Sequence, residues 1–289
     1  MFLSTIETMT RRSFVRTIAA GSLAPALSTA QTASRKGRLK QAATRGCFGK
    51  GMSLEDTCRE AARLGLKGLD LIPPADWPTL KKYGLIPTMA PAGGHKLTDG
   101  INRREAHDQI EPGFREMIER AAAFGAPNVI ALSGNRRGLS DEQGIDNCVA
   151  FLNRVKALAE DKGVTICLEL LNSKVNHPDY QCDHTAWGVE VVRRVNSPNV
   201  KLLYDIYHMQ IMEGDVIRTI RQNIKHIGHF HTAGNPDRRD MDDTQELNYV
   251  GICKAIAQSG YDLYVAHEFS PKGDPIEALR AAFKLCDQE

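Results

Sequence analysis

Four residues of this sequence have the types and the spacing of a metal site: Glu169, Asp205, His231 and Glu268. Each stands at or near the C-terminal end of a short apolar run: TICLEL, VKLLYD, IGHFH and YVAHE. They are separated by 36, 26 and 37 residues. Those gaps are close to the roughly 30-residue length of a strand–helix unit. Three carboxylates and one imidazole are hard donors, suited to one divalent cation of the Mn²⁺, Mg²⁺ or Co²⁺ type; structural zinc sites more often use cysteine. Without a cation, gathering three carboxylates would cost several kcal/mol in desolvation and repulsion. Each residue also has an ordinary use. Glu169 could pair with Lys174, Asp205 could cap the next helix, His231 could be a core histidine beside His229, and Glu268 could cap the last helix. Four such coincidences in register are harder to accept than one site.

The surrounding pattern supplies the elements that would position these groups. From Arg45 onward apolar runs alternate with amphipathic stretches. Strands are expected at 45–49, 66–72, 85–93, 128–134, 164–172, 200–206, 224–234 and 261–269. Helices are expected at 54–64, 75–83, 103–124 (with an interruption at Pro112), 142–162, 185–195, 212–223, 249–259 and 275–285. Ser53 reads as an N-cap, and Gly65 and Gly163 as helix stops. The strands are continuously apolar, as in a sheet buried on both faces. Eight such units, with no GxGxxG after the first strand, favour an α/β fold of the (β/α)8 TIM-barrel type, a single domain over 44–289. In that fold the strands' C-terminal ends carry the chemistry.

The N-terminus reads as an export signal over 1–30. Arg11 and Arg12 precede a moderately apolar run, Ile18 to Leu27, followed by small residues at Ser28-Thr29-Ala30. The segment resembles a twin-arginine signal, which implies export of a folded protein to the periplasm or beyond. Residues 31–43 read as a linker. Setting aside Glu7, Arg11, Arg12 and Arg16 leaves equal numbers of basic and acidic residues. A neutral chain has no general attraction for nucleic acid or, once the signal is removed, for membrane. The seven cysteines form no CxxC pair and read mostly as free thiols. Oligomeric state is left open, a homo-oligomer included. His95, His177 and His184 read as solvated loop residues, and Trp77 and Trp187 as packing residues.

The segments ELLN, LLYDIYHMQIMEGD, GHFHTAGNPDR with ELNY, and HEF resemble the hydroxypyruvate isomerase group of the xylose-isomerase-like barrel superfamily. The resemblance covers about residues 45–285 and is densest from Glu169 onward. It implies one divalent cation held by Glu169, Asp205, His231 and Glu268, and substrate contacts from His208 and Arg238. It also implies an isomerase in which Glu169 and Glu268 move a proton next to a carbonyl through an enediolate, as in hydroxypyruvate to tartronate semialdehyde. Hydroxypyruvate isomerases often have glutamine at the position of His231, whereas histidine there matches ketose 3-epimerases. A ketose 3-epimerase or another sugar isomerase is therefore the alternative. An abasic-site endonuclease would need more histidine ligands and a basic face. An exported metal- or sugar-binding protein without catalysis is the reading from another class.

Overall fold

A computed structural model describes residues 37–289. The signal segment and residues 31–36 of the linker lie outside the described residues. Eight parallel strands are ordered β3-β2-β1-β8-β7-β6-β5-β4. They are β1 (Lys40–Thr44), β2 (Gly68–Asp70), β3 (Ile86–Met89), β4 (Asn128–Ala131), β5 (Thr165–Leu170), β6 (Val200–Asp205), β7 (Ile227–Thr232) and β8 (Tyr264–His267). The ring closes between β3 and β4 through a parallel bridge of Ala90 with Val129. There the Ala90 N–H donates to Asn128 O at 2.8 Å and the Ile130 N–H to Ala90 O at 3.1 Å. The result is a TIM barrel.

The helices of the barrel are α1 (Leu54–Leu64), α2 (Trp77–Lys82), α3 (His107–Phe124), α4 (Asp141–Lys162), α5 (Thr185–Val195), α6 (Ile206–Met212), α7 (Val216–Asn223), α8 (Tyr249–Gln258) and α9 (Pro275–Cys286). Local chemistry sets their ends. Ser53 Oγ accepts the Asp56 N–H at the start of α1. Ser140 and Gln143 form a capping box on α4. Asp274 caps α9 and Pro275 opens it, a position where the missing N–H costs nothing. Gly65 ends α1 at φ 90°, a conformation in which a side chain would be strained.

Three expectations are corrected. The first strand is Lys40–Thr44, not 45–49, so the linker does not reach residue 43. KQAAT has one β-branched residue, Thr44, and none of the Val, Ile or aromatic residues that usually mark a strand. Its place is set by partners: it pairs with β8 and β2, and Gln41 is buried with its amide donating to Phe283 O at 3.0 Å. Arg45–Phe48 is a 3₁₀ turn instead. Second, α3 runs unbroken through Pro112. Near the start of a helix proline removes a single hydrogen bond, which the long buried face tolerates. Third, the expected helix 212–223 begins only at Val216, as α7; a separate helix, α6, ends at Met212, with Glu213, Gly214 and Asp215 between them. Glu213 serves another element there: Oε1 accepts the Thr185 N–H at 2.7 Å and Oε2 the Thr185 hydroxyl at 2.6 Å, at the start of α5.

Most of the core lies between the sheet and the helices. A separate small cluster, Met89, Ile130, Leu132, Cys167 and Leu203, fills the barrel interior. Cys167 and Leu203 stand two residues before Glu169 and Asp205, so they share a strand face with them. Glu169 and Asp205 thus rise from an apolar floor, whereas His229 stands two residues below His231 on the same face of β7. Burying such apolar side chains contributes about 1.5–3 kcal/mol each and keeps bulk water from the base of the site. Among the described residues no helix is long and apolar enough to cross a membrane.

Candidate metal centre

Glu169, Asp205, His231 and Glu268 come together at the C-terminal ends of β5 to β8. One ligand atom from each lies within 4.8 Å of the others. Glu169, Asp205 and His231 are buried; Glu268 keeps a quarter of its side chain exposed. None of the ordinary uses accounts for the set. The Lys174 ammonium donates to Ile211 O and Met212 O, not to Glu169. Asp274, not Glu268, caps α9. Asp205 does cap α6, with Oδ1 accepting the His208 N–H at 3.2 Å, but its Oδ2 faces the other ligands.

Behind His231 stands a carboxylate that the sequence reading did not single out. Asp70, at the end of β2, is 1 % exposed. Its Oδ2 accepts from His229 Nε2 at 2.7 Å and His231 Nε2 at 3.0 Å, and its Oδ1 takes the Thr88 hydroxyl. Burial would raise the Asp70 pKa, but the two imidazoles outweigh it and hold the carboxyl ionised well below the usual range. With Nε2–H committed to Asp70, His231 turns Nδ1 toward Glu268 Oε2 at 2.7 Å and Glu169 Oε1 at 3.6 Å. No hydrogen bond of acceptable geometry satisfies Nδ1. Burial alone would lower the His231 pKa; Glu268 and Asp70, one on each side of the ring, push it well above the ordinary value. A proton or a cation must sit among these acceptors. Three carboxylate oxygens and an imidazole nitrogen oriented by a carboxylate fit a divalent cation.

The electrostatics separate the carboxylates. Burial raises the Glu169 pKa above the usual range, with His231 opposing. Burial raises Asp205 as well, with Arg238 opposing. For Glu268 burial also acts upward, but the charges of His231 and Arg238 dominate and hold it at about 2.

His208 lies 0 % exposed beside the quartet. Its tautomer follows from Asn172. That residue's Oδ1 accepts the N–H groups of Val175 at 3.0 Å and Asn176 at 2.8 Å, which turns Nδ2 to His208 Nδ1 at 2.6 Å. The ring therefore accepts at Nδ1 and has its hydrogen on Nε2. Nε2 is buried without a hydrogen-bond partner, 3.6 Å from Asp205 Oδ2. Burial, reinforced by Arg238, keeps this ring neutral. His177, read as a solvated loop residue, instead packs on His208 with ring centroids 5.2 Å apart. His95, read likewise, is pinned by the Leu132 N–H on Nε2 at 2.9 Å. His184 is exposed, as expected. Trp77 and Trp187 are buried in the main core, with indole N–H groups on Ile72 O and Asp141 O.

Arg238 reaches the site from the β7–α8 loop. Its Nη2 donates to Glu268 Oε2 at 2.7 Å and Asp205 Oδ2 at 3.1 Å, and its guanidinium lies 5.5 Å over the Tyr207 ring. Here it bridges two candidate ligands, so clamping a substrate requires exchanging those bonds. The tight turn that presents it is built on Gly234, which exchanges backbone hydrogen bonds with Arg239 at 2.9 and 3.3 Å. A Cβ on Gly234 would lie 2.2 Å from Asp240 O. Gly234→Ala should therefore displace Arg238 and lower kcat/KM by about 10²-fold, a loss typical of misplacing a site by about 1 Å. The melting temperature should fall as well, because Gly234, Asn235 and Asp240 are buried and the clash is with backbone. Wild-type kinetics for this variant would show that Arg238 needs no fixed position.

A cavity of about 420 Å³ opens beside the quartet, lined by Thr44, Arg45, Asp70, Pro73, Arg238 and Glu268 among others. That size suits a small ligand.

A family model described as xylose isomerase-like TIM barrel matches residues 58–288. The chain belongs to the xylose isomerase-like TIM barrel family. It is 29 % identical over 237 residues to the hydroxypyruvate isomerase of Escherichia coli, covering 76 % of this chain and 89 % of that protein. Among solved structures it is similar to an AP endonuclease, family 2, from Brucella melitensis, with TM-score 0.77 and 25 % identity over 83 % of this chain and 96 % of that one. It also shares its fold with a D-psicose 3-epimerase from Clostridium cellulolyticum H10, with TM-score 0.72 and 19 % identity over 86 % of this chain and 98 % of that one.

Proposed function

We propose that this protein is a metal-dependent isomerase that transfers a proton between adjacent carbons of a small hydroxy-carbonyl compound, with hydroxypyruvate as the substrate. The convergence of Glu169, Asp205, His231 and Glu268 beside the unpartnered His208 Nε2–H carries this reading. The E. coli relative, a hydroxypyruvate isomerase, supports the reaction class. These four residues would hold the cation. Bound there, it would supply Lewis-acid stabilisation of negative charge developing on substrate oxygens.

The remaining work falls to side chains. Glu169, buried and flanked by His231, removes the proton from the carbon next to the carbonyl. Glu169 or Glu268 returns it to the neighbouring carbon. His208 Nε2–H has no competing partner and donates to a substrate oxygen. Arg238, once released from Asp205 and Glu268, offers its planar fork to a carboxylate. His231 favours a second reading, a ketose 3-epimerase, in which one glutamate removes a proton from a carbon and the other returns one to the opposite face of that same carbon, inverting it. The paired Arg11-Arg12 supports export by the twin-arginine route for either enzyme.

The test is metal content followed by exchange in deuterated water, with hydroxypyruvate and a panel of ketoses. Bound metal near one per chain should accompany deuterium entering a carbon next to the carbonyl of hydroxypyruvate, and chelation should abolish the exchange. Exchange confined to ketoses would select the epimerase. Metal without exchange on any substrate would mean a binding protein, and absence of metal would overturn the site.

A further inference from the structure

The last strand–helix unit contains a pair of thiols that the proton-transfer chemistry does not use. Cys253 lies in α8 and Cys286 is the last residue of α9. Both are 0 % exposed, and both are thiols here. Their Sγ atoms are 2.9 Å apart, with the Cys253 S–H directed at Cys286 Sγ. Ordinary non-bonded contact between carbon atoms begins at about 3.5 Å, and sulfur is larger than carbon. The two helices therefore already hold these sulfurs closer than packing alone requires. Other cysteines are used differently. Cys47 Sγ donates to His267 O at 3.2 Å and accepts the Phe269 N–H at 3.3 Å, and Cys167 faces Asn128 Oδ1.

We propose that Cys253 and Cys286 form a disulfide that fastens α9 to α8 in the mature protein. The oxidant is a disulfide compound such as oxidised glutathione. One cysteine thiolate attacks a sulfur of the oxidant, and one thiol of the oxidant leaves. The second cysteine thiolate then attacks the mixed disulfide, and the second thiol leaves. The two S–H protons end on the two departing sulfurs, so the oxidant is reduced to two thiols and one S–S bond joins the helices. Both sulfurs are sealed from solvent once α9 is docked, so the exchange precedes docking or follows lifting of the end of α9.

The bond's consequence follows from what the end of α9 holds. Asp287 Oδ1 accepts the Gly37 N–H at 2.8 Å, and Gln288 O accepts the Arg38 N–H at 3.2 Å, just ahead of β1. Fixing Cys286 therefore also fixes the C-terminal residues against which the chain enters its first strand. The link spans α8, β8 and α9, a loop long enough for a substantial loss of unfolded-state entropy.

The test refolds the full chain in a mixture of reduced and oxidised glutathione, then denatures it in iodoacetamide and measures its mass. Two of the seven cysteines should escape alkylation. A non-reducing digest should contain one cross-linked peptide pair, carrying Cys253 and Cys286. The bond should resist reductant in the native protein and yield to it after denaturation. Oxidised wild type should melt roughly 5–10 °C above both the reduced protein and the double variant Cys253→Ala/Cys286→Ala. Full alkylation of all seven cysteines, or a cross-link between any other pair, would overturn the proposal whatever the variant does.

Discussion

Glu169→Gln is expected to lower kcat for proton exchange by about 10²–10⁴-fold, the range for removing a general base. Glutamine preserves the shape of the side chain but has no site that can take a proton from carbon. The barrel should remain folded. Glu169 is 6 % exposed, and burial lifts its pKa above the usual carboxylate range, so its charge is held against a desolvation cost. Removing that charge relieves repulsion with Asp205 and Glu268 and should leave the melting temperature unchanged or raised. Metal affinity should fall only in part, since three donors remain. Glu268→Gln is the informative contrast. The charges of Arg238 and His231 hold Glu268 at about 2, so its ionised form stabilises the folded state. That contribution is present above the ordinary carboxylate pKa and is lost as pH falls toward 2. Neutralising Glu268 at pH 7 should destabilise by about 1–3 kcal/mol, because His231 loses a neighbouring counter-charge and Arg238 a bonded one. Destabilisation by Glu268→Gln with none by Glu169→Gln, at the two outer positions of the four ligand-bearing strands, would be difficult to produce from any arrangement but this one. A wild-type exchange rate in Glu169→Gln would remove Glu169 from the proton transfer.

The same contrast explains how far the site was legible in the sequence. Glu169, Asp205, His231 and Glu268 stood out because each interrupts or ends an apolar run, where a charged group needs a partner. The identical signal was present in GLDLI, where Asp70 breaks an apolar strand. It went unread because β2 is only three residues long and Asp70 faces two histidines rather than the candidate cation. The barrel itself was legible from eight repeats of apolar run and amphipathic stretch. Its first strand was not, because KQAAT is strand only by virtue of β8 and β2 on either side. Arg238 could be named but not placed. Its backbone is at φ 54°, in a turn closed by Gly234, and nothing in the order of residues says that its guanidinium bridges Asp205 and Glu268. Proximity between cysteines 33 residues apart is likewise a product of helix packing alone.

Asp70→Ala should be the most destabilising single change at the site, by about 3–5 kcal/mol, the range for breaking a buried charged partnership from one side. The carboxylate accepts from His229, His231 and Thr88, and all four side chains are buried. Alanine strands two imidazole N–H groups and one hydroxyl in the buried interior. Asp70→Asn separates charge from geometry. Its carbonyl oxygen can still face the two N–H groups while its NH₂ donates to Thr88 Oγ1, whose hydroxyl also accepts. The ring of His231 then keeps its orientation but loses the charge that makes Nδ1 a better donor. Asparagine should therefore cost much less stability than alanine, while metal affinity drops by about 10–100-fold, as for other partners behind a metal-bound histidine. Chemical denaturation and titration with Mn²⁺ in a competing chelator measure the two effects independently. If Asp70→Asn binds Mn²⁺ as tightly as wild type, Asp70 positions the strands and not the ligand. If Asp70→Ala is as stable as wild type, the paired histidines have another acceptor, and the account of why β2 and β7 are held together across the barrel mouth fails with it.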